Sequence, residues 1–389
     1  MPGVGEQRAG LGEIAWAFLK LGTIAFGGPA AHIALMEEGF VRRRRWLTEQ
    51  EFLDRLGAAN LIPGPSSTEM AIYIGHNQRG WPGLVVAGCC FIIPAAILVS
   101  AIAAAYVRYG SMPRVSGVLY AVKPVVIAVI LQAFWKLSRT AVKTKSLAAI
   151  GTAATAAALL GVDNLLLLVC SGLVAAVPSL FLRTKPGVLA SVINLAAMKP
   201  KSLMALLSAI AAGAAVPFGL WRLFLVFMKI GSVLFGSGYV LLAFLRSDFV
   251  LRLHWLTEKQ LLDAVAVGQV TPGPVFTTAT FIGYLLAGMP GAAVATVAIF
   301  LPGFLLVAAS GPLIPRIRRS PVAASILDGV IVASLALMGV VTWQLGRAAL
   351  IDPLTIAIAV VSAVLLLAFR MNAAWLIVGA AVVGVIHGG

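Results

Sequence analysis

Charge is scarce in this chain. Of its 389 residues only 11% are Asp, Glu, Lys or Arg, and only 14 are acidic, whereas a soluble domain carries about 25% charged residues. That excludes an ordinary soluble globule. Cysteine is equally sparse. Cys89, Cys90 and Cys170 all lie within apolar segments, and none is spaced with a histidine as a zinc or redox site requires. His32, His76, His254 and His387 form no cluster, so neither a metal nor a cofactor is expected. The chain has no Gly-x-x-x-x-Gly-Lys-Ser/Thr loop for ATP, no Gly-x-Ser-x-Gly and no His-Glu-x-x-His. Intramembrane proteolysis would want paired aspartates, for which only Asp54 and Asp263 offer themselves, so no enzyme is expected. The N-terminus lacks a basic stretch followed by an apolar core and a cleavage site, and no removable signal peptide is expected.

What the chain has instead is apolar length. Hydrophobic residues make up 60%. Pro82–Tyr106, Pro113–Leu137, Asp163–Leu182, Ala293–Ile314, Pro321–Leu345 and Pro353–Phe369 each approach or exceed the roughly 20 apolar residues that cross a bilayer. The reading is an all-α polytopic membrane protein. The net charge of +15 sits mostly between apolar segments, where basic residues act as orientation signals. No soluble domain is available to bind nucleic acid.

Gly, Pro and a few charges recur in register. Lys20, Gly22, Phe26-Gly27, Trp46-Leu47-Thr48-Glu49, Asp54 and Pro63-Gly64-Pro65 return as Lys229, Gly231, Phe235-Gly236, Trp255-Leu256-Thr257-Glu258, Asp263 and Pro272-Gly273-Pro274. The offset is 209, with 17 of 46 positions identical. Beyond Pro-Gly-Pro the offset is 208, pairing Ile74-Gly75 with Ile282-Gly283, Pro82-Gly83 with Pro290-Gly291 and Pro94 with Pro302. A two-fold repeat with Gly/Pro-broken apolar segments marks a secondary transporter whose site lies between its halves. The expected organisation is a first repeat over residues 11–185, a linker over 186–220 with one extra span, and a second repeat over 221–387. Thr48 and Thr257 read as helix N-caps.

Freed backbone groups survive in a bilayer where they line a cavity. In-register breaks therefore favour re-entrant hairpins meeting near the midplane over simple proline kinks. The strong basic loop of the first half is Arg42 to Arg45, whereas the second half loads Arg316, Arg318 and Arg319 onto the opposite loop of the repeat. Arg139, Lys143 and Lys145 are matched only by Arg347. Charge that changes sides predicts inverted halves, with parallel halves as the alternative.

A helix N-terminus offers unpaired N–H groups and partial positive charge, so a broken helix aims an anion site inward. The expected substrate contacts are Phe26, Gly27, Gly28, Pro63, Gly64, Pro65, Ser66, Ser67 and Thr68 in the first half. Gly236, Ser237, Gly238, Pro272, Gly273, Pro274, Thr277 and Thr278 are their expected partners in the second. The competing reading is that the glycines only let helices pack closely. Lys20 and Lys229, intramembrane cations at equivalent positions, are candidates for binding or coupling, or else snorkelling lysines. Glu69 has no acidic counterpart; it is a candidate for a coupling proton or a structural partner of Arg79 or Lys20. Asp54 and Asp263 read as structural, and Trp46 and Trp255 as interfacial anchors.

Phe26-Gly27-Gly28-Pro29, His32, Trp46-Leu47-Thr48-Glu49, Pro63-Gly64-Pro65 with Ser67-Thr68-Glu69-Met70, and their second-half counterparts resemble the chromate ion transporter family, in its long two-domain form. The resemblance implies export of chromate across a bacterial inner membrane, conferring chromate resistance; the basic loops, read separately, predict a cytoplasmic N-terminus. Import or exchange of sulfate or another oxyanion on the same fold is the alternative. Expected partners are the oxyanion and the lipid bilayer, with a homodimer left open.

Overall fold

The computed structural model describes residues 9–26, 28–110, 112–181, 218–235, 238–318, 320–369 and 371–387. Among them are fourteen α-helices and no strand. The first half comprises α1 (Leu11–Ile24), α2 (Gly28–Met36), α3 (Glu49–Ala59), α4 (Ser66–Tyr109), α5 (Pro113–Ala141), α6 (Lys145–Leu159) and α7 (Asn164–Phe181). The second half repeats the series as α8 (Leu220–Val233), α9 (Leu241–Leu245), α10 (Glu258–Val270), α11 (Thr278–Arg318), α12 (Pro321–Ala349), α13 (Pro353–Leu367) and α14 (Ala373–His387). In each half the second helix runs on into a π-helical turn, Glu37–Arg43 or Arg246–Arg252.

The Phe-Gly breaks turn the chain back. Beyond the break at Ala25, α2 and its π-turn run back along α1: Phe40 stacks on Phe18 with ring centroids 4.9 Å apart, and Arg44 reaches to 4.0 Å from Glu13. In the second half Phe249 lies 4.9 Å from Phe227, and Lys229 donates to Asp248 at 2.7 Å. The Pro-Gly-Pro breaks do the same. α3 enters and the first limb of α4 returns, so that Arg55 donates to Asn77 at 2.7 Å and Gln78 donates to the Trp46 carbonyl at 2.9 Å. Each half therefore begins with two re-entrant hairpins.

A third reversal lies inside α4 and α11, where Gly80 (φ 57°) and Gly288 (φ 60°) take a left-handed conformation that suits glycine. The limbs on either side pack tightly. A Cβ on Gly75 would run into the Gly83 carbonyl, and one on Gly283 into the Gly291 carbonyl. Among the described residues, the outgoing limbs with α5 and α12 are the four helices long and apolar enough to cross a membrane. Their outward faces carry Ile97, Leu131, Leu305 and Trp343, an apolar surface suited to lipid.

The halves are inverted. Ala9, Trp46 and Gln78 gather on one face, joined by hydrogen bonds at 2.9 and 3.1 Å. The limb of α4 after Gly80 carries the chain about 43 Å away, at ~1.5 Å per residue, to Tyr109 and Gly110. There Gly110 and Pro113 share a cavity with Glu258, the first residue of α10. The second half thus enters from the face opposite the first. The linker 186–220 with its expected extra span lies outside the described residues apart from its last three.

The last two helices of each half are exchanged. α7 and α6 pack on α12, and α14 and α13 pack on α5. Gly329 sits against the Ser171 carbonyl and Gly384 against that of Gly117. Pro353–Phe369, long enough in sequence to span, is instead a 15-residue helix, about 22 Å long. It starts where Tyr120 donates to Asp352, reaches Gln132 through Leu366 (2.8 Å), and returns as α14.

Thr48 and Thr257 close capping boxes with Glu51 and Gln260. Trp46 is no interfacial anchor: it is buried against Phe40, with the Arg44 guanidinium 5.6 Å above its ring. Replacing Gly283 by alanine is expected to cost about 1–3 kcal/mol, because the added methyl overpacks the limb contact, while Gly12→Ala, with open space around it, costs nothing; unfolding in detergent measures both.

Candidate functional site

Four chain reversals meet at the centre, and their backbones bond across the halves. The amide of Gly64, in the first Pro-Gly-Pro, donates to the Leu234 carbonyl at 2.6 Å. The amide of Gly273, in the second, donates to the Ala25 carbonyl at 3.1 Å. The pairs 64/234 and 25/273 are one another's images at the 209-residue offset, so each half satisfies the broken helix of the other. Gly64 (φ 139°) and Gly273 (φ 90°) both stand in the left-handed region. A Cβ on Gly273 would come within 2.6 Å of the Ala95 Cβ and 3.3 Å of the Gly22 carbonyl oxygen. Only glycine lets the tip approach so closely.

Beside this junction lies a cavity of about 900 Å³. Phe26 and Gly28 line it from the first break, and Thr271, Gly273 and Val275 from the second Pro-Gly-Pro. Gly28 begins α2, so the unpaired amides of a nine-residue helix face this end. Gln132, Trp135, Lys136 and Arg139 of α5, with Gln269 and Asn372, form the rest of its polar wall. Among the described residues the lining holds two cations and no carboxylate, a balance that favours an anion.

The expected residues divide into several environments. Ser67 is buried and shares a hydrogen bond of 3.2 Å with Nδ1 of His32, whose Nε2 lies 3.1 Å from the Ala25 carbonyl. His32 therefore ties the first Pro-Gly-Pro turn to the first break. Thr277 and Thr278 donate within their own turn, to Pro274 and Val275 at 2.8 Å each, and are occupied. Pro63, Pro65, Ser66 and Pro272 belong to the same two turns but not to the cavity lining, and Gly238 lies against Val275 and Phe276. Gly27, Gly236 and Ser237 lie outside the described residues.

Glu69 is fully buried, and neither carboxylate oxygen has a hydrogen-bond partner among the described residues; the Thr68 hydroxyl is likewise unpaired. Glu69 lies under Gly64 and close to Gly303 of α11, so neither Arg79 nor Lys20 is its partner.

The two lysines part company. Lys229 is bound to Asp248, whereas the position matching Asp248 in the first half is Gly39. Lys20 instead lines an outer groove with Arg43 and Arg44. Lys136 escapes sequence reasoning because the repeat carries Gln344 in its place; Arg139 and Gln269 recur as Arg347 and Asn60, but nothing in the sequence joins them to the broken helices, and Arg139 reads there as an orientation charge.

The sequence profile of the chromate transporter family matches residues 12–214 and 221–385. The chain belongs to the chromate transporter family. It is thus a multi-pass membrane protein of a transporter family, not an enzyme. A chromate transport protein of Cupriavidus metallidurans is 33% identical over 383 residues, covering 97% of this chain and 93% of the relative. A probable chromate transport protein of Synechococcus elongatus is 33% identical over 363 residues, covering 90% and 88%. One from Pseudomonas aeruginosa is 31% identical over 336 residues, covering 85% and 80%. No solved structure matches this chromate transporter family member.

The unequal lysines yield a test of role. Lys229→Met leaves Asp248, whose side chain is 5% exposed, without its nearer cation. It is expected to cost about 1–3 kcal/mol, less than a fully buried pair because the lysine is partly solvated. Lys20→Met is expected to leave the unfolding midpoint unchanged.

Proposed function

We propose that this protein is a secondary transporter that exports chromate from the cytoplasm across the inner membrane and so confers chromate resistance. The observation that carries the reading is the carboxylate-free cavity at the junction of the two broken repeats, with Gly28 and Gly273 at its floor and Lys136 and Arg139 on its wall. Backbone amides and two solvent-exposed cations hold a tetrahedral dianion loosely, as a releasable site requires. The named relatives support chromate as the substrate.

The basic residues Arg42 to Arg45, Arg139, Lys143 and Lys145 lie at the ends of elements on the face that holds Ala9 and Gln78. By the positive-inside rule that face is cytoplasmic and the opposite face, with the C-terminal helix end, is external. The cavity wall at Lys136 and Arg139 then lies toward the cytoplasm. An inside-negative potential favours a departing anion by about 2.3 kcal/mol per charge per 100 mV. Glu69, buried without a counter-ion beside the first Pro-Gly-Pro, is the group we assign to a coupling proton.

Chromate uptake by everted, respiring vesicles tests direction; uptake confined to right-side-out vesicles would make the protein an importer, the reading in which sulfate is the natural cargo. Loss of the charge-assisted contacts in Lys136→Gln or Arg139→Gln is expected to cost about 1.5–3 kcal/mol of binding, a roughly ten- to hundredfold rise in the half-saturating chromate concentration. Glu69→Gln is expected to keep uptake driven by an imposed potential and to abolish its acceleration by an imposed pH gradient; acceleration that survives removes Glu69 from coupling.

A further inference from the structure

A second cavity, of about 810 Å³, lies on the opposite face. It is lined by Tyr106, Gly110, Tyr120 and Lys123 from the first half and by Glu258, Asp263 and Asp352 from the second. Both cavities are built on the same two helices. The cytoplasmic one uses α5 from Val129 to Arg139 and α10 from Gly268 onward. The outer one uses α5 up to Lys123 and α10 up to Asp263. What separates them is an apolar septum of buried residues, Val125, Val126 and Ile127 of α5 with Ala264, Val265, Ala266 and Val267 of α10. Four helical residues are only about 6 Å thick.

At the outer edge of that septum stands a closed set of polar contacts. Lys123 Nζ lies 2.8 Å from Asp263 Oδ1, and the Tyr106 hydroxyl donates to Asp263 Oδ2 at 2.8 Å. The Asp263 side chain is fully buried and that of Lys123 is 13% exposed. The repeat carries different side chains at two of the three image positions. Asp54, the image of Asp263, is exposed on α3; the images of Lys123 and Tyr106 are Ile331 and Ile314. The second half's Pro-Gly-Pro hairpin is thus pinned under α5 by a cluster whose lysine and tyrosine the first-half repeat replaces with isoleucines.

From this we infer that the oxyanion crosses along the α5–α10 seam, and that the Lys123–Asp263–Tyr106 cluster is its outer gate, which must part in each transport cycle. The inference rests on the transport reading above. While the gate is shut, the Asp263 carboxylate occupies the cation that an arriving anion would need. When α10 withdraws, Lys123 is left facing the outer cavity as a station for the departing dianion. Asp263 leaves with α10 and takes outer water as its donor in place of Lys123 and the Tyr106 hydroxyl.

Two experiments test this in full-length protein lacking its native cysteines. In the first, Val125→Cys within the septum is labelled by a membrane-impermeant maleimide from the external face. Lys123→Met and Asp263→Asn are expected to raise the labelling rate several-fold. The exchanged pair K123D/D263K is expected to restore the slow rate, because it rebuilds the contact. Unchanged labelling in the single variants, or equal labelling in the exchanged pair, overturns the gate. In the second, Leu119→Cys of α5 and Leu262→Cys of α10, which line the outer cavity beside the cluster, are joined by a short reducible bis-thiol linker in protein that is already inserted, with Lys123, Tyr106 and Asp263 left intact. Chromate transport is expected to stop on linking and return on reduction; transport that continues at the unlinked rate overturns the inference. Labelling does not depend on the cargo, so a protein that moves no chromate even when unlinked counts against the transport reading alone.

Discussion

Everything at the centre of this molecule depends on backbone hydrogen bonds that cross between its halves. A helix broken inside a bilayer exposes amides and carbonyls that hydrocarbon cannot satisfy, each at several kcal/mol. Here the Gly64 amide meets the Leu234 carbonyl and the Gly273 amide meets the Ala25 carbonyl. Neither half can keep its broken helices alone, because each supplies what the other lacks. The close approach sets the rest of the geometry. Gly22 and Gly231 let α1 and α8 lie against the carbonyls of Phe91 and Ile299. The breaks then leave the cavity that opens at the N-terminus of α2.

The exchange of α6–α7 with α13–α14 extends this interdependence outward. Each pair of short helices lies on the long span of the opposite half, so the repeat in sequence does not form a separable unit in space. The arrangement makes a frame, α5 and α12 with their short helices, around the hairpins that carry the tips. Within it the two sets of hairpins are chemically unequal. Lys229 is neutralised by Asp248 and Lys123 by Asp263, both on the second half's hairpins. Asymmetry of charge on a symmetric backbone is what biases an inverted-repeat protein toward one of its two otherwise equivalent arrangements.

Much of this was legible in the chain. The positions of the breaks followed from Gly and Pro in register, because those residues act on their own backbone and need no neighbour. The caps at Thr48 and Thr257 were readable for the same reason, and the inversion of the halves from the drift of Arg and Lys between loops. The fate of each charge was not legible. Lys20 and Lys229 occupy identical positions in the repeat, yet one lines an outer groove and the other is paired, a difference made by Asp248 replacing Gly39 nineteen residues downstream. Glu69 offered Arg79 and Lys20 as partners in sequence and has neither, because α4 turns its carboxyl under the Gly64 tip.

The sequence by itself determined the membrane class, the two-fold repeat, the places where helices must break and the face that carries positive charge. These are local or additive properties: transfer of apolar residues, backbone freedom at glycine, loss of an amide at proline. Only the tertiary structure decided which break bonds to which, that the terminal helices change partners, and that Lys136 and Arg139 share a cavity with Gly28 and Gly273. It also brought Lys123 to Asp263, 140 residues away in the chain. Such pairings depend on how elements distant in sequence cross, and local chemistry does not encode a crossing until the whole core has packed.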